Sequence, residues 1–441
     1  MLPRERQLRQ HLHADALIAT LRQRFASLPD ARLAPSFSLA DTLMAGFALF
    51  ALKDPSLLAF DKRRQDANSN LRTIYGIERV PCDSQLREIL DTVDPQSLRP
   101  CFTDIFRELQ RGKALEPFAF YEGHYLLAFD GSQYFSSNTI HCPQCLEKHH
   151  RNGTTTYHHQ MLGAVLVHPD HREVIPLMPE PIIKQDGTCK NDCERNAATR
   201  FFPAFRQDHA HLKVIALADG LSANAPQIRE LQEHNIRFLL VANPGDHTFL
   251  FQQLEAAVAA GQAEVLTEWD PQTNTVFHYR WHTGVPLNES NQDVLVNVLE
   301  YWEIRDGKVV YRGSWVTDLE LRADNVQLLV RGARTRWKIE NETFNTLKNQ
   351  GYHYEHNFGH GVNHLSVVLA LLMMLAFLVD QTQQLCCALF QAAWAKAGSK
   401  RQLWDEMRHL FHAFAFPTMA ALWETLLRGI NKQKPVLLDD S

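Results

Sequence analysis

The stretch HYLLAFDGSQYFSS, residues 124–137, is an apolar run that ends at Asp130 and predicts a β-strand. HHQMLGAVLVHP at 158–169 predicts a second strand and EVIPLMPEPI at 173–182 a third, with the turn PDHR between them. Three strands that follow one another so closely along the chain are expected to be joined as hairpins.

The next part of the chain alternates between helical and strand-like patterns. DCERNAATRFFPAFRQ at 192–207 has helical spacing, and KVIALADG at 213–220 is a buried strand that ends at Asp219. A helix at 222–235 and a strand at 236–243 follow. This order predicts an α/β fold with a mixed five-stranded sheet and helices on its faces.

The rest of the chain divides by its patterns into flanking units. Strand-like runs after residue 245, joined in part by the hairpin turn Asp306-Gly307, predict a β-rich insertion. The N-terminal unit is helical with basic loops, which suits either DNA binding or packing. The predicted units are a helical N-terminal domain (1–118), the first part of the α/β domain (119–244), the insertion (245–324), its last helices (325–380) and a helical tail (381–441).

Composition indicates an ordinary globular chain of 441 residues with 45% hydrophobic content and a formal charge of −5. A DNA-binding face would therefore depend on local clusters of cations. The N-terminus is too charged for a signal peptide, and the apolar run at 367–379 is shorter than the roughly 18 residues of a membrane span. We expect a core helix there, no membrane partner, and a reducing cytoplasm, because eight cysteines are too sparse for a disulfide framework.

Two aspartates stand at the ends of strands that should be neighbours. Asp130 and Asp219 would then face each other, and a carboxylate from the helix expected at 334–350 would complete a cluster of three acids. Oxygen ligands of this kind suit Mg²⁺ or Mn²⁺. Either aspartate alone would more simply cap a turn, but three acids beside a basic helix favour a metal site for phosphoryl transfer.

These residues carry a resemblance to a known family. AFDGS around Asp130, ALADGLSAN around Asp219, and SWVTDLELRADNVQLLVRGARTRWKIENETFNTLK resemble the DDE insertion-sequence transposases. The nearest group has a Tyr-x2-Arg-x3-Glu-x6-Lys signature, and the likeness covers about residues 120–380. It implies an RNase H-like catalytic core, a β insertion before the last acid, and metal-dependent DNA cleavage and strand transfer at insertion-sequence ends.

The resemblance also implies roles for individual residues and partners. Asp130, Asp219 and Glu340 would hold the metal ions, and the cations expected to contact DNA are Arg334, Arg336, Lys338 and Lys348. The partners would be terminal-repeat and target DNA, bound by a homodimer. Two departures concern the signature: Ala333 stands at the tyrosine position, and Lys348 follows Glu340 by eight residues, which leaves Glu342 as the alternative acid.

Two other functions fit the same motifs. One is a DNA-binding relic of a transposase that has lost catalysis, against which the intact acids argue. The other is a nuclease of the same fold that only cuts.

Cysteine pairs predict a second metal site. Cys142-x2-Cys145 lies between the first and second strands and Cys189-x3-Cys193 between the third strand and the helix, so both connections fall at one end of the sheet. Four thiolates could hold a structural zinc, whereas free loop thiols are the alternative. One ligand could instead be His149, His150, His158 or His159. We expect packing or DNA-proximal roles, not ligation, for His356, His360 and His364.

Overall fold

The structure is a computed structural model that describes residues 8–66, 68–184, 192–429 and 436–437. Its N-terminal part is helical, as predicted. Ser38 caps the second helix by accepting a hydrogen bond from Asp41 N, and this apolar helix is buried on most sides. The helices are α1 (Ala14–Ala26), α2 (Leu39–Ala51), α3 (Leu57–Asp66), α4 (Asn68–Tyr75), α5 (Asp83–Asp91) and α6 (Arg99–Arg111), with 3-10 turns at Pro95–Leu98 and Glu116–Phe118.

The central strands have the predicted order. They are β1 (Ala119–Tyr121), β2 (His124–Ser137), β3 (Leu146–His149), β4 (Thr155–His168), β5 (His171–Pro176), β6 (Glu180–Ile182), β7 (Val214–Leu217) and β8 (Arg237–Val241), with helices α7 (Glu194–Asp208) and α8 (Ala225–Glu233). Strand β2 is antiparallel to β4 and parallel to β7, and β7 is parallel to β8. The strands that carry Asp130 and lead to Asp219 are therefore neighbours, as predicted, but β2 does not end at Asp130 and continues to Ser137.

The third predicted strand is broken into two. Strands β5 and β6 both pair with β4, but residues 177–179 between them belong to neither. Pro179 lies in this break, and a proline removes the N–H that a ladder hydrogen bond would need.

The β-rich insertion extends the central sheet. It contains helix α9 (Thr248–Ala259) and strands β9 (Glu264–Asp270), β10 (Thr275–Asn288), β11 (Asn291–Arg305) and β12 (Lys308–Thr317). Strand β12 pairs antiparallel with β8 through Trp315–Thr317. This pairing covers the edge that β8 would otherwise expose. Among the described residues one sheet thus holds 12 strands, and the prediction of five was too small. Asp306 and Gly307, both with positive φ, form the predicted β11–β12 turn.

The last part of the chain is helical but not as predicted at 334–350. Helix α10 (Val326–Arg334) ends before the acids, residues Ile339–Phe344 form a π-helical segment, and α11 (Asn345–Asn349) follows. The prediction of one regular helix was wrong here. The remaining elements are α12 (Leu365–Cys386), α13 (Ala388–Ala397), α14 (Lys400–Ala413) and α15 (Met419–Arg428), with β13 (Phe414–Ala415) paired to β14 (Val436–Leu437).

Helix α12 is the core helix that the apolar run predicted. By length and composition it is apolar enough to cross a membrane, but its apolar stretch is buried inside the protein. It packs against α2 of the N-terminal layer on one side and β5 of the sheet on the other. Its hydropathy therefore reflects its position between two layers.

Candidate active site and candidate metal centre

Asp130 and Asp219 lie where β7 ends. Strand β2 pairs with β7 only as far as Ala128, so Asp130 of β2 lies beyond the end of this parallel pairing. Asp219 follows β7 directly and caps the turn Gly220–Ser222, where it accepts a hydrogen bond from Leu221 N at 3.1 Å. Both carboxylates thus reach the crevice at the carboxyl ends of the parallel strands, where open α/β sheets bind their ligands.

A cavity of about 410 Å³ opens at this crevice. Its lining includes both aspartates and two acids that the sequence analysis missed: Asp192, which pairs with Arg200, and Glu194, the first residue of α7. The Glu194 carboxylate lies against Gly131, where an added Cβ would come within 2.1 Å of Oε1. Gly131, next to Asp130 in the chain, was the one sequence signal for this close approach.

The segment that carries Glu340 is held against β4 by a second close approach. Gly163 lies directly opposite Asp130 in the β2–β4 pair, and the Phe344 ring fills the place of its missing side chain, 2.8 Å from the position of a Cβ. Phe344 is the last residue of the π-helical segment. This packing brings the segment over the face of the sheet from which Asp130 projects.

Arg336 links Glu340 to Asp130. Its Nη2 lies 2.8 Å from Glu340 Oε1 and its Nη1 lies 3.3 Å from Asp130 Oδ2. Glu342 instead pairs with Arg172 at 3.2 Å, and its side chain is 19% exposed, against 49% for Glu340. Glu340, and not Glu342, is therefore directed toward the aspartates.

Crowding of acids changes the protonation of the site. Burial raises the pKa of Asp130 to about 6; Arg336 opposes this rise, while Glu194, Asp219 and Glu340 add to it. Burial, and then Asp219, also raise the pKa of Glu194. Within the described part of the chain these acids do not form a group of three whose ligand oxygens all lie within 4.8 Å of one another. Arg336 supplies the nearest positive charge to Asp130 and Glu340.

The predicted DNA-contacting cations differ in their surroundings. Lys338 is only 6% exposed, and its Nζ donates to the carbonyl oxygens of His168 and His171 in the β4–β5 turn. These contacts give Lys338 a structural role in the β4–β5 turn and argue against the predicted DNA contact. Arg334 pairs with Glu303 and lies over the Tyr311 ring.

Other cations of this region remain at the surface. Lys348 pairs with Glu355 at 2.9 Å, and Arg331 with Asp170 at 2.7 Å. A groove of about 610 Å³ runs between α10 and the insertion, lined in part by Arg334, Arg336 and Trp337. Trp337 is 43% exposed, so it does not anchor the segment, whereas the fully buried Ile339 does.

A separate cluster of thiols and imidazoles lies at the far end of β2. Four possible metal ligands lie within 4.8 Å of one another: Cys142 Sγ, Cys145 Sγ, His159 Nε2 and His360 Nδ1. A hydrogen bond from the Cys145 thiol lowers the pKa of Cys142, and the same interaction raises that of Cys145. Such a set could hold a metal ion such as zinc.

This ligand set differs from the predicted one. Cys142 and Cys145 are as predicted, but Cys189 lies outside the described residues, and Cys193 is exposed and lines the acidic cavity. His159 and His360 belong to the set instead. The sequence analysis included His159 among four alternative ligands but expected a packing or DNA-proximal role for His360. It missed the proximity of His360 to the thiols, because only the fold brings the 351–364 loop to this strand end.

Comparison with protein-family models and with curated proteins gives no match for this chain.

Proposed function

We propose that this protein is a DDE-type DNA transposase that cleaves DNA at insertion-sequence ends and transfers the strands to target DNA. The observation that carries the proposal is the convergence of Asp130 and Asp219 at the carboxyl end of β7. Asp130 lies on β2 just beyond its pairing with β7, Asp219 follows β7, and Glu340 is joined to Asp130 through Arg336. These are the three acids that the sequence resemblance assigns to catalysis.

The sheet order supports an RNase H-like core. The order across this part of the sheet is β5 and β6 together, then β4, β2, β7 and β8. Strand β4 is antiparallel both to β2 and to β5 and β6, whereas β7 and β8 run parallel to β2. The insertion enters between β8 and the segment of Glu340, where the resemblance implies a β insertion before the last acid.

The acidic cavity has the chemistry of a Mg²⁺ or Mn²⁺ site. The raised pKa of Asp130 reflects burial beside other carboxylates, and a divalent cation would relieve this repulsion. Asp130, Asp219 and Glu340 would hold the ions, with Glu194 close enough to assist. When bound, two such ions would stabilise the attacking and leaving oxygens of an in-line displacement at phosphorus.

Arg336 would keep this site together before DNA arrives. Its guanidinium neutralises part of the charge on Asp130 and Glu340, and it also lines the groove beside the insertion. A guanidinium can exchange a carboxylate for a phosphate without losing bidentate geometry. Arg336 is thus suited to bind a phosphate of the DNA backbone once metal ions have taken its place between Asp130 and Glu340.

The groove beside the acids is suited to DNA. It combines the cations Arg334 and Arg336 with the exposed ring of Trp337, and aromatic rings and cations together recognise unpaired bases and backbone. Its DNA partners would be the element's terminal repeats and the target, met in the cytoplasm by a homodimer.

The test is strand transfer of a labelled 3′ end into a plasmid. The DNA would carry the inverted repeats that flank this reading frame, and the reaction would contain the full chain with Mg²⁺ or Mn²⁺. Joined product supports a transposase. Cleavage without joining would indicate the nuclease alternative, and DNA binding without either reaction would indicate the relic.

A further inference from the structure

We propose that Cys142, Cys145, His159 and His360 form a structural Zn²⁺ site that fastens the loop after the Glu340 segment to the central sheet. A tetrahedral zinc with Zn–S of about 2.3 Å and Zn–N of about 2.0 Å places two sulfurs about 3.8 Å apart and a sulfur and a nitrogen about 3.5 Å apart. The two sulfurs here are 3.7 Å apart. The sulfur–nitrogen distances from His159 to Cys142 and Cys145 are both 3.3 Å, and that from His360 to Cys145 is 3.8 Å.

The chemistry of the ligands selects the metal. Thiolates with imidazoles prefer zinc, whereas Mg²⁺ and Mn²⁺ prefer the oxygens of the acidic cavity. Cys142, Cys145 and His159 are at most 8% exposed, and a closed set of four ligands is typical of structural zinc. The site is therefore distinct in both place and chemistry from the cavity of Asp130.

Neighbouring rings hold the histidines in position. Tyr134 stacks on the fully buried His159, and Phe135 meets the His360 ring edge to face at 4.1 Å. His159 Nε2 faces both sulfurs, whereas Nδ1 is buried without a hydrogen-bond partner, so the polar contacts of this ring are all on the side of the thiols. A metal ion at Nε2 would compensate for burying this imidazole.

Zinc would join parts of the chain that are far apart in sequence. Cys145 and His360 are separated by 215 residues. Cys142 and Cys145 lie in the connection from β2 to β3, His159 lies on β4, and His360 lies in the loop between α11 and α12. The same loop is held at its other end by Asp91 of α5, whose carboxylate accepts from four successive backbone N–H groups, those of residues 362–365.

The loop is thus tied to the N-terminal helical layer by hydrogen bonds and to the sheet by the metal. Two glycines with positive φ, Gly359 and Gly361, flank His360 and allow the sharp path that carries its ring to the thiols. Loss of zinc should free the segment around His360 while leaving its contact with Asp91.

The experiment measures metal content of the full chain purified without chelator. We expect about one zinc per chain, and after exchange with Co²⁺ we expect the visible absorption of a tetrahedral cobalt–thiolate centre. Cys145→Ser and His360→Ala should each lose most of the bound metal. His360→Cys, which keeps a fourth ligand, should retain the metal and shift the cobalt spectrum.

The matched control is His356→Ala in the same loop. His356 is exposed and lies outside the cluster, so this variant should keep full zinc content. Absence of zinc from the wild type, or full zinc in His360→Ala, would overturn the proposal. Neither result depends on DNA chemistry, so a protein without strand-transfer activity can still carry the zinc.

Discussion

Arg336 contacts Asp130 across 206 positions of the sequence, with Nη1 3.3 Å from Oδ2. The contact joins the π-helical segment and its preceding turn to the strand at the centre of the sheet. It places Glu340 near Asp130, although within the described residues the acids do not form a group of three whose ligand oxygens all lie within 4.8 Å of one another. The guanidinium of Arg336 lies between Asp130 and Glu340. Under the proposed function, divalent metal ions would take that place.

Asp130→Asn and Asp219→Asn should each reduce cleavage and strand transfer by at least about 100-fold, because each removes a charged ligand that stabilises the transition state. DNA binding should remain nearly intact. Asp246→Asn is the control, since Asp246 is an exposed aspartate in the loop that follows strand β8. Wild-type joining rates in either active-site variant would exclude that acid as a ligand.

Glu340→Gln should abolish Mg²⁺-dependent strand transfer and Glu342→Gln should not. Glu340 is directed toward Asp130 through Arg336, whereas the half-buried Glu342 pairs with Arg172. The two variants are matched in chemistry and lie in one segment, so a difference between them reports position alone. The reverse outcome would make Glu342 the third acid.

Asp130→Asn should stabilise the metal-free protein at pH 7 by roughly 2–3 kcal/mol, although it destroys activity. Because the pKa of Asp130 rises from 3.8 to about 6 on folding, its charged form is disfavoured in the folded state. The resulting loss of stability develops as pH rises from about 4 to 6 and is absent below that window. Denaturant unfolding of both proteins at pH 3.5 and pH 7 measures it, and an equal difference at both pH values would contradict the assignment.

Lys348→Ala should reduce the negative slope of log affinity against log salt by about 0.9, because it removes one phosphate contact. Lys338→Ala should leave this slope unchanged and lower the free energy of unfolding by roughly 1.5–3 kcal/mol, because buried carbonyl oxygens lose a charged donor. Binding to a labelled duplex at several salt concentrations, with unfolding in parallel, separates the two lysines. A changed slope for Lys338→Ala would restore it as a DNA contact.

Gly131→Ala should destabilise the protein by about 1–3 kcal/mol and reduce activity, because the new methyl group would collide with the Glu194 carboxylate. Adding Glu194→Ala should recover the lost stability. Unfolding measurements on the two single variants and the double variant test the coupling. Additive effects would show that Glu194 does not occupy the space above Gly131.

Local patterns predicted much of the fold. Strand β2, the pairs of strands and helices up to β8, the Asp306-Gly307 turn and the core helix α12 follow from short-range periodicity and turn chemistry. The proximity of Asp130 and Asp219 also followed, because the strands that carry or precede them are parallel neighbours, although β2 continues past Asp130 to Ser137. The site's fourth carboxylate, Glu194, was missed because its approach depends on the packing of α7 over Gly131.

The sequence by itself determined which stretches become strands and helices, since hydrophobic period and turn residues act over a few positions. Only the tertiary structure decided which distant side chains meet. It joined the insertion to the central sheet through β12, buried Lys338 against a turn, and brought His360 to Cys145 across 215 residues. Contacts of this kind depend on the packing of whole layers, in which backbone hydrogen bonds and apolar burial outweigh the preference of any single residue.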